Sequence, residues 1–365
     1  MATQTVFFTG AGGFIGRYIL THYLDHTPCD LCLLENGKFC ERLRTFLDAT
    51  VRDPGKRGRV KIVEGDITAP HLGLEASLSD ELKESVTHVI HLAALYNLSA
   101  PRDVSLKVNV EGTRNVLDFI GTLKNFARLG YMSTVAISGD YSGVYTEEDL
   151  DKGQGFRNFY AETKFLAEKL VRERRDAIPT VIFRPTIVVG DSKTGAMEKV
   201  DGPYYGLTMI QRNLHLLNVN SGPTKCHIAP VDYVAEAFFT IMEEANTPGR
   251  VYCLGDPHPL TYAEFFDLVY EHWGKIKPLV KLPPAVMRPF TRLPFFYEIT
   301  GVTSEAFEYT VNPVDYPVTN ALAALARSGL KCPPVTAYLD AMLGYFRDHY
   351  RDPKVRRGDW KQSTT

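Results

Sequence analysis

A strand that runs into a glycine turn and leaves it as a helix constrains this chain more than any other feature. Thr5-Val6-Phe7-Phe8-Thr9 is a short apolar run rich in β-formers, and Gly10-Ala11-Gly12-Gly13-Phe14-Ile15-Gly16 follows at once. Residues 17–24 then carry apolar positions at helical spacing. In that context the glycines serve a tight turn, close approach of backbone N–H groups to a pyrophosphate, and packing of the new helix on its strand. The helix N-terminus offers its positive dipole end to the phosphates. The expected fold class is therefore α/β, a Rossmann-type doubly wound parallel sheet, with Gly10, Gly13, Phe14, Ile15 and Gly16 at the cofactor. The competing reading is a βα turn that binds nothing.

Tyr160-x-x-x-Lys164 decides between the two. It lies in Asn158-Phe159-Tyr160-Ala161-Glu162-Thr163-Lys164-Phe165-Leu166, where helix formers dominate and apolar residues recur at helical spacing. One turn of helix puts the phenol and the ammonium on the same face. A close ammonium would draw the tyrosine pKa down from about 10, as proton exchange with an alcohol or carbonyl oxygen requires. The same spacing at Tyr350 and Lys354 contains Pro353 and follows no strand, so it carries no chemical role. At the end of Leu31-Cys32-Leu33-Leu34 stands Glu35, about 20 residues past Gly16, where a carboxylate bonds the ribose hydroxyls and repels a 2′-phosphate. NAD(H) is the expected cofactor, with Lys38, Arg42 and Arg44 close enough in sequence to admit NADP(H).

These motifs resemble the extended branch of the short-chain dehydrogenase/reductase superfamily, in order along residues 1–235. The resemblance assigns Asp66 and Ile67, in Gly65-Asp66-Ile67 after the run 60–63, to the adenine side of the cofactor. It assigns Ala93 and Ala94, in His91-Leu92-Ala93-Ala94, to the nicotinamide-side ribose, and Pro185 and Ile187, in Arg184-Pro185-Thr186-Ile187, to the carboxamide. Asn109 matches the family's catalytic asparagine. In Tyr131-Met132-Ser133-Thr134-Val135-Ala136, counting back from Gly139 puts Thr134 at the catalytic hydroxyl position, with Ser133 in reserve. The implied tetrad is Asn109, Thr134, Tyr160 and Lys164, with Asn109 ordering a water that links Lys164 to solvent; Tyr160 and Lys164 also hold the cofactor. Taken singly, Asp66 reads equally as a turn cap, Asn109 as a helix-interior amide and Thr134 as a strand hydroxyl. Their joint order argues for one site at the carboxyl ends of parallel strands.

A narrower likeness, to the fatty-acyl-CoA-reductase-like branch, rests on Gly190-Asp191-Ser192-Lys193-Thr194-Gly195, on Asp201-Gly202-Pro203-Tyr204-Tyr205, and on segments 109–116 and 133–140. It implies hydride transfer between nicotinamide and a carbonyl or alcohol on a hydrophobic substrate, such as an acyl thioester or aldehyde, with Tyr96, Tyr204 and Tyr205 on the substrate side. An NAD-dependent alcohol or sterol dehydrogenase and a nucleotide-sugar epimerase share this framework as alternatives. From another class, a non-catalytic NAD(P)-sensing regulatory protein would need no intact tetrad.

Residues 1–190 and 228–255 are expected to form the dinucleotide-binding domain, 191–227 and 256–350 a smaller, discontinuous C-terminal substrate lobe, and 351–365 a polar tail. In that lobe Pro283-Pro284-Ala285-Val286-Met287-Arg288-Pro289-Phe290 leads on to Phe295, Phe296 and Tyr297. Its prolines interrupt a continuous amphipathic helix, so a wall or lid of the substrate pocket is expected. Peripheral membrane contact there and a homodimer stay open. The chain has 365 residues, 44% of them hydrophobic, enough for a large core, and Lys+Arg of 41 against Asp+Glu of 43 gives no basic field to recruit nucleic acid. No apolar run approaches about 18 residues, and the first strand begins close to Met1, so neither a membrane span nor a leader is expected and the location is cytoplasmic. Cys29, Cys32, Cys40, Cys226, Cys253 and Cys332 show no second pair at ligand spacing and read as buried reduced thiols. No metal is expected.

Overall fold

The run Thr5–Thr9 (β1), buried from Val6 onward, is an inner strand of a seven-stranded sheet in the computed structural model. Residues 4–352 are described, apart from 99, 245–248, 294, 297–299, 301 and 303. The remaining strands of the sheet are β2 (Asp30–Glu35), β3 (Val60–Glu64), β4 (Val86–His91), β5 (Arg128–Met132), β6 (Thr180–Pro185) and β7 (Val251–Leu254). Their spatial order is β7-β6-β5-β4-β1-β2-β3, and every pairing is parallel. This is the doubly wound α/β sheet expected from the sequence.

The period of two along each strand divides the core. Val6, Phe8, Leu31, Leu33, Val181 and Phe183 point to one face, where the helices Phe14–His26 and Val231–Glu243 pack. Phe7, Cys32, Leu34, Leu129, Tyr131 and Ile182 point to the other, under the helices Gly112–Ile120 and Phe159–Glu173. A strand buried on both faces needs apolar residues at successive positions, which is why these runs read as continuous rather than alternating. A third core joins the helices Tyr204–Gln211, Tyr262–His272 and Leu339–His349 through Tyr204, Leu207, Phe265, Val269, Leu343 and Phe346.

The strand Ile228–Pro230 pairs with Ile187–Val189 and leads into the helix Val231–Glu243. Tyr316, Val318, Ala321, Leu325 and Cys332, assigned by the sequence reading to the substrate lobe, pack instead on the core beneath the sheet. There Asn320 donates through Nδ2 to the Val251 carbonyl at 2.9 Å and through its N–H to Glu147 Oε2 at 2.6 Å. Pro284–Thr291 is a helix after all. Pro284 opens it at a position whose N–H needs no partner, although Pro289 falls within it. Met287 and Phe296 line a small cavity, while Phe290 and Phe295 are exposed. Pro294, Tyr297 and the tail from 353 onward, with Pro353 and Lys354, lie outside the described residues. All six cysteines are buried and free, and among the described residues no helix is long and apolar enough to cross a membrane.

Candidate active site

The strand order reverses at β1, which has β4 on one side and β2 on the other, so the chain leaves β1 and β4 toward opposite faces and a crevice opens at their carboxyl ends. Gly10 turns there with φ of +79°, and a Cβ on it would stand 2.6 Å from the Ala93 nitrogen; one on Gly16 would stand 2.2 Å from the Gly10 carbonyl oxygen. Only glycine lets strand, turn and helix meet at these distances. Gly13 is the N-cap of the helix Phe14–His26, and no side chain caps that end, which leaves its first N–H groups for a ligand. Glu35, at the end of β2, accepts the Gly12 N–H at 2.6 Å. Burial raises its pKa, with the Gly12 N–H and Arg42 working against the rise. An uncapped helix end behind a side-chain-free cradle, with a carboxylate at its rim, fits a nicotinamide dinucleotide.

A cavity of about 440 Å³ extends from this turn. Gly10, Gly13, Phe14, Ile15, Gly16, Ala94, Tyr96, Ser133, Thr134, Tyr160, Lys164, Pro185, Ile187, Tyr204 and Tyr205 all line it, so residues nearly 200 positions apart in sequence share one wall. Glu35, Asp66, Ile67, Ala93 and Asn109 do not. Asp66 caps its own turn, accepting the Thr68 N–H at 2.8 Å, and Ile67 is buried against Gly112. Ala93 backs the glycine turn. Asn109 sits in a π-helical turn, Leu106–Glu111, with both amide donors used: Oδ1 accepts the Leu95 N–H at 2.7 Å, and Nδ2 donates to the Leu95 carbonyl and to Thr163 Oγ1 at 2.9 Å. It ties the segment after β4 to the helix Phe159–Glu173 rather than reaching toward Lys164.

At the end of β5 two neighbouring hydroxyls go different ways. Thr134 caps a one-turn 3₁₀ helix by accepting the Ala136 N–H at 3.1 Å, and it also lies within hydrogen-bonding reach of the Tyr160 phenol. Ser133 instead donates to Glu168 Oε2 at 2.5 Å. Glu168 is fully buried and also binds Arg184, at 2.6 Å through Oε1, and Arg172 at 2.9 Å. This ion network braces β5, β6 and the helix Phe159–Glu173 from below the cavity. Sequence reasoning missed it, because Glu168 and Arg184 meet only when β6 lies beside β5.

The expected coupling of Lys164 to Tyr160 needs correcting. Lys164 donates to Tyr131 Oη at 3.1 Å and to the Met132 carbonyl at 2.8 Å. Burial raises the Tyr160 pKa, and Thr134 works against the rise. Burial also pulls the Lys164 ammonium down to about 7, against the charge of Glu168. The helical spacing is as expected, but the long lysine side chain bends toward the strand ends. Tyr96 packs edge-on against Tyr160, ring centres 4.8 Å apart. Tyr204 is buried, and its phenol oxygen accepts the Gly190 N–H at 3.0 Å. Lys199, Asp201, Lys225, His227 and Tyr309 also line the cavity, and no motif signals them because they are scattered over loops and helices that only the fold brings together.

With this geometry in hand, residues 8–238 match the family described as Male sterility protein. The chain belongs to that family. The fatty-acyl-CoA-reductase-like branch expected from the sequence is the one to which the male sterility match points. The chain is 32% identical over 209 residues to a Linear gramicidin synthase polypeptide of Brevibacillus parabrevis, covering 54% of this chain and 4% of that protein. It is 27% identical over 271 residues to Fatty acyl-CoA reductase wat of Drosophila melanogaster, covering 64% of this chain and 52% of that one. It thus spans about half or less of the length of these relatives. Among solved structures, the terminal R domain from the myxalamid PKS-NRPS biosynthetic pathway superposes with a TM-score of 0.81 at 25% identity, covering 98% of this chain and 93% of that one. UDP-Glucuronic acid 4-epimerase from Bacillus cereus shares the fold, with a TM-score of 0.67 at 18% identity, covering 95% of this chain and 100% of that one.

Proposed function

We propose that this chain reduces the carbonyl of an apolar acyl substrate, a thioester or the derived aldehyde, using a reduced nicotinamide dinucleotide. The observation that carries the reading is the Thr134–Tyr160 hydroxyl pair, set in a cavity that runs from the glycine turn to apolar and aromatic walls. The turn at Gly10, Gly13 and Gly16 would hold the dinucleotide, whose chemistry would be to supply a hydride. Thr134 accepts the Ala136 N–H on one lone pair, and its hydroxyl proton is there to donate to the carbonyl oxygen. Tyr160 gives its proton to that oxygen as charge develops there. A phenol whose pKa burial holds high stays protonated near neutrality, which suits an acid in the reducing direction better than a base in alcohol oxidation. Lys164 holds Tyr131 and the end of β5 in place and stands ready for ribose hydroxyls. The names of relatives, Fatty acyl-CoA reductase and Carboxylic acid reductase among them, support the substrate class.

Steady-state kinetics on acyl thioesters, aldehydes, sterols and nucleotide sugars test this reading. Turnover of thioesters and aldehydes, rising with acyl chain length as apolar burial of about 25 cal/mol per Å² accumulates, is the expected outcome. Turnover of nucleotide sugars alone would overturn it.

NAD(H) is the preferred cofactor in this reading. Glu35 closes the glycine turn where the adenosine ribose would approach, and Arg42, a candidate to receive a 2′-phosphate, is held by Glu198 at 2.6 Å. Fluorescence titration is expected to give tighter binding of NADH than of NADPH. Glu35→Ala should weaken NADH by about tenfold, the worth of a hydrogen bond to a charged group, and narrow the difference between the two nucleotides. Tighter NADPH binding by the wild type contradicts the preference.

A further inference from the structure

Three lysines line the cavity, and two of them are already engaged. Lys164 is bound to Tyr131 and the Met132 carbonyl, and Lys225 pairs with Asp315 at 2.8 Å. Lys199 is different. Its ammonium stands 4.4 Å from the centre of the Tyr96 ring, and the described residues offer it neither a hydrogen bond nor a carboxylate at ion-pair distance. Tyr96 in turn packs on Tyr160, so a single aromatic ring separates Lys199 from the phenol that serves the carbonyl oxygen. Asp201, only 9% exposed, hydrogen-bonds the Tyr96 phenol and places its charge near Lys199. His227, the fourth basic side chain lining the cavity, is pulled by burial down to about 4 and is neutral at working pH.

A thioester differs from an aldehyde in needing to release sulfur. After hydride addition from the reduced nicotinamide, the tetrahedral adduct collapses: an oxygen electron pair re-forms C=O, the hydroxyl proton returns to Tyr160, and the C–S bond breaks with its pair on sulfur. The collapse is redox-neutral, but an alkyl thiolate left without a proton adds back to the aldehyde, and Tyr160 is occupied at the oxygen. We propose that Lys199 is the acid that protonates the departing thiolate, with Tyr96 and Asp201 positioning it; this rests on the thioester reading given above. The leaving sulfur takes a proton from the Lys199 ammonium, which regains it from solvent. A free cysteine thiol has a pKa of about 8.5. Burial draws the lysine below its ordinary value, toward that of the thiol, while Asp201 limits the fall.

The test compares Lys199→Met and Lys199→Arg in the full chain on three substrates bearing one acyl group: an alkyl thioester, an aryl thioester and the aldehyde. Lys199→Met should lose roughly 100-fold in kcat on the alkyl thioester, within the usual worth of a general acid. Its losses on the aryl thioester, whose thiol departs unprotonated, and on the aldehyde, which releases no thiol, should be at least about tenfold smaller. Lys199→Arg keeps the charge over Tyr96 but cannot surrender a proton, so it should remain as slow as Lys199→Met on the alkyl thioester. NADH affinity and Tm, measured on each variant, should match the wild type. Equal losses on all three substrates, or a wild-type rate in Lys199→Arg, overturn the acid role. A wild-type protein that reduces the aldehyde but no thioester removes the reading beneath the proposal, and that failure is visible before any variant is made.

Discussion

Replacing Tyr160 by phenylalanine is expected to lower kcat by about 10²–10⁴-fold, the range for loss of a positioned acid, while NADH affinity stays within a few-fold of wild type. The ring remains to pack against Tyr96, and only the hydroxyl that meets Thr134 is removed. The carbonyl oxygen then keeps the Thr134 hydrogen bond but gains no proton. Stopped-flow or steady-state oxidation of NADH with an aldehyde substrate measures the loss, and fluorescence titration measures binding. Retention of more than a tenth of the wild-type rate would remove Tyr160 as the proton donor.

Glu168→Gln should destabilise the protein by about 3–5 kcal/mol, the cost of breaking a buried charge pair from one side. Glu168 is fully buried, and Arg184 is 2% exposed. Without the carboxylate, the Arg184 guanidinium stays in the interior with its charge uncompensated, and Ser133, Arg172 and Arg184 are left one acceptor oxygen where they shared two. Burial raises the Glu168 pKa, but the charge and hydrogen bond of Arg184, the charge of Arg172 and the Ser133 hydrogen bond together outweigh it, so the net shift is downward. The sign of the pH dependence follows. A carboxylate whose folded pKa lies below its unfolded value of about 4.3 contributes stability above that pH and loses it as the pH falls. Urea denaturation should therefore show the wild type weakening on the acid side and Glu168→Gln weak already at neutrality, with a flatter acid limb. Equal midpoints for the two proteins at pH 7 would deny the network its role.

How far the sequence could be read depended on whether a feature was local. The glycines at 10, 13 and 16 and the run Thr5–Thr9 announce the βα turn because a turn, a strand and the head of a helix are set by neighbouring residues. The helix at Tyr160 was legible for the same reason, and it spans Phe159–Glu173. Where the reading slipped, the cause was most often a partner from elsewhere in the chain. Lys164 was expected to face Tyr160, yet the end of β5 supplies Tyr131 and the Met132 carbonyl, which capture the ammonium. Asn109 was expected to order a water, and only the fold shows that its amide also ties the segment after β4 to Thr163. The helix Pro284–Thr291 went unseen because prolines were weighed by number rather than by position.

The sequence by itself determined the alternation of strand and helix, the glycine cradle, the buried parallel sheet and the residue types available for proton transfer. Each follows from periodicity or from a backbone requirement that acts over a few residues. Only the tertiary structure decided which hydroxyl at the end of β5 meets Tyr160, since Ser133 is turned away by Glu168, and Glu168 is held by an arginine from the adjacent strand. It also decided that Lys199 and Asp201 stand beside Tyr96, and that Tyr316, Val318, Ala321, Leu325 and Cys332 join the core beneath the sheet. Such placements depend on burial and on charge partners brought together from distant parts of the chain, and no local pattern of residues encodes them.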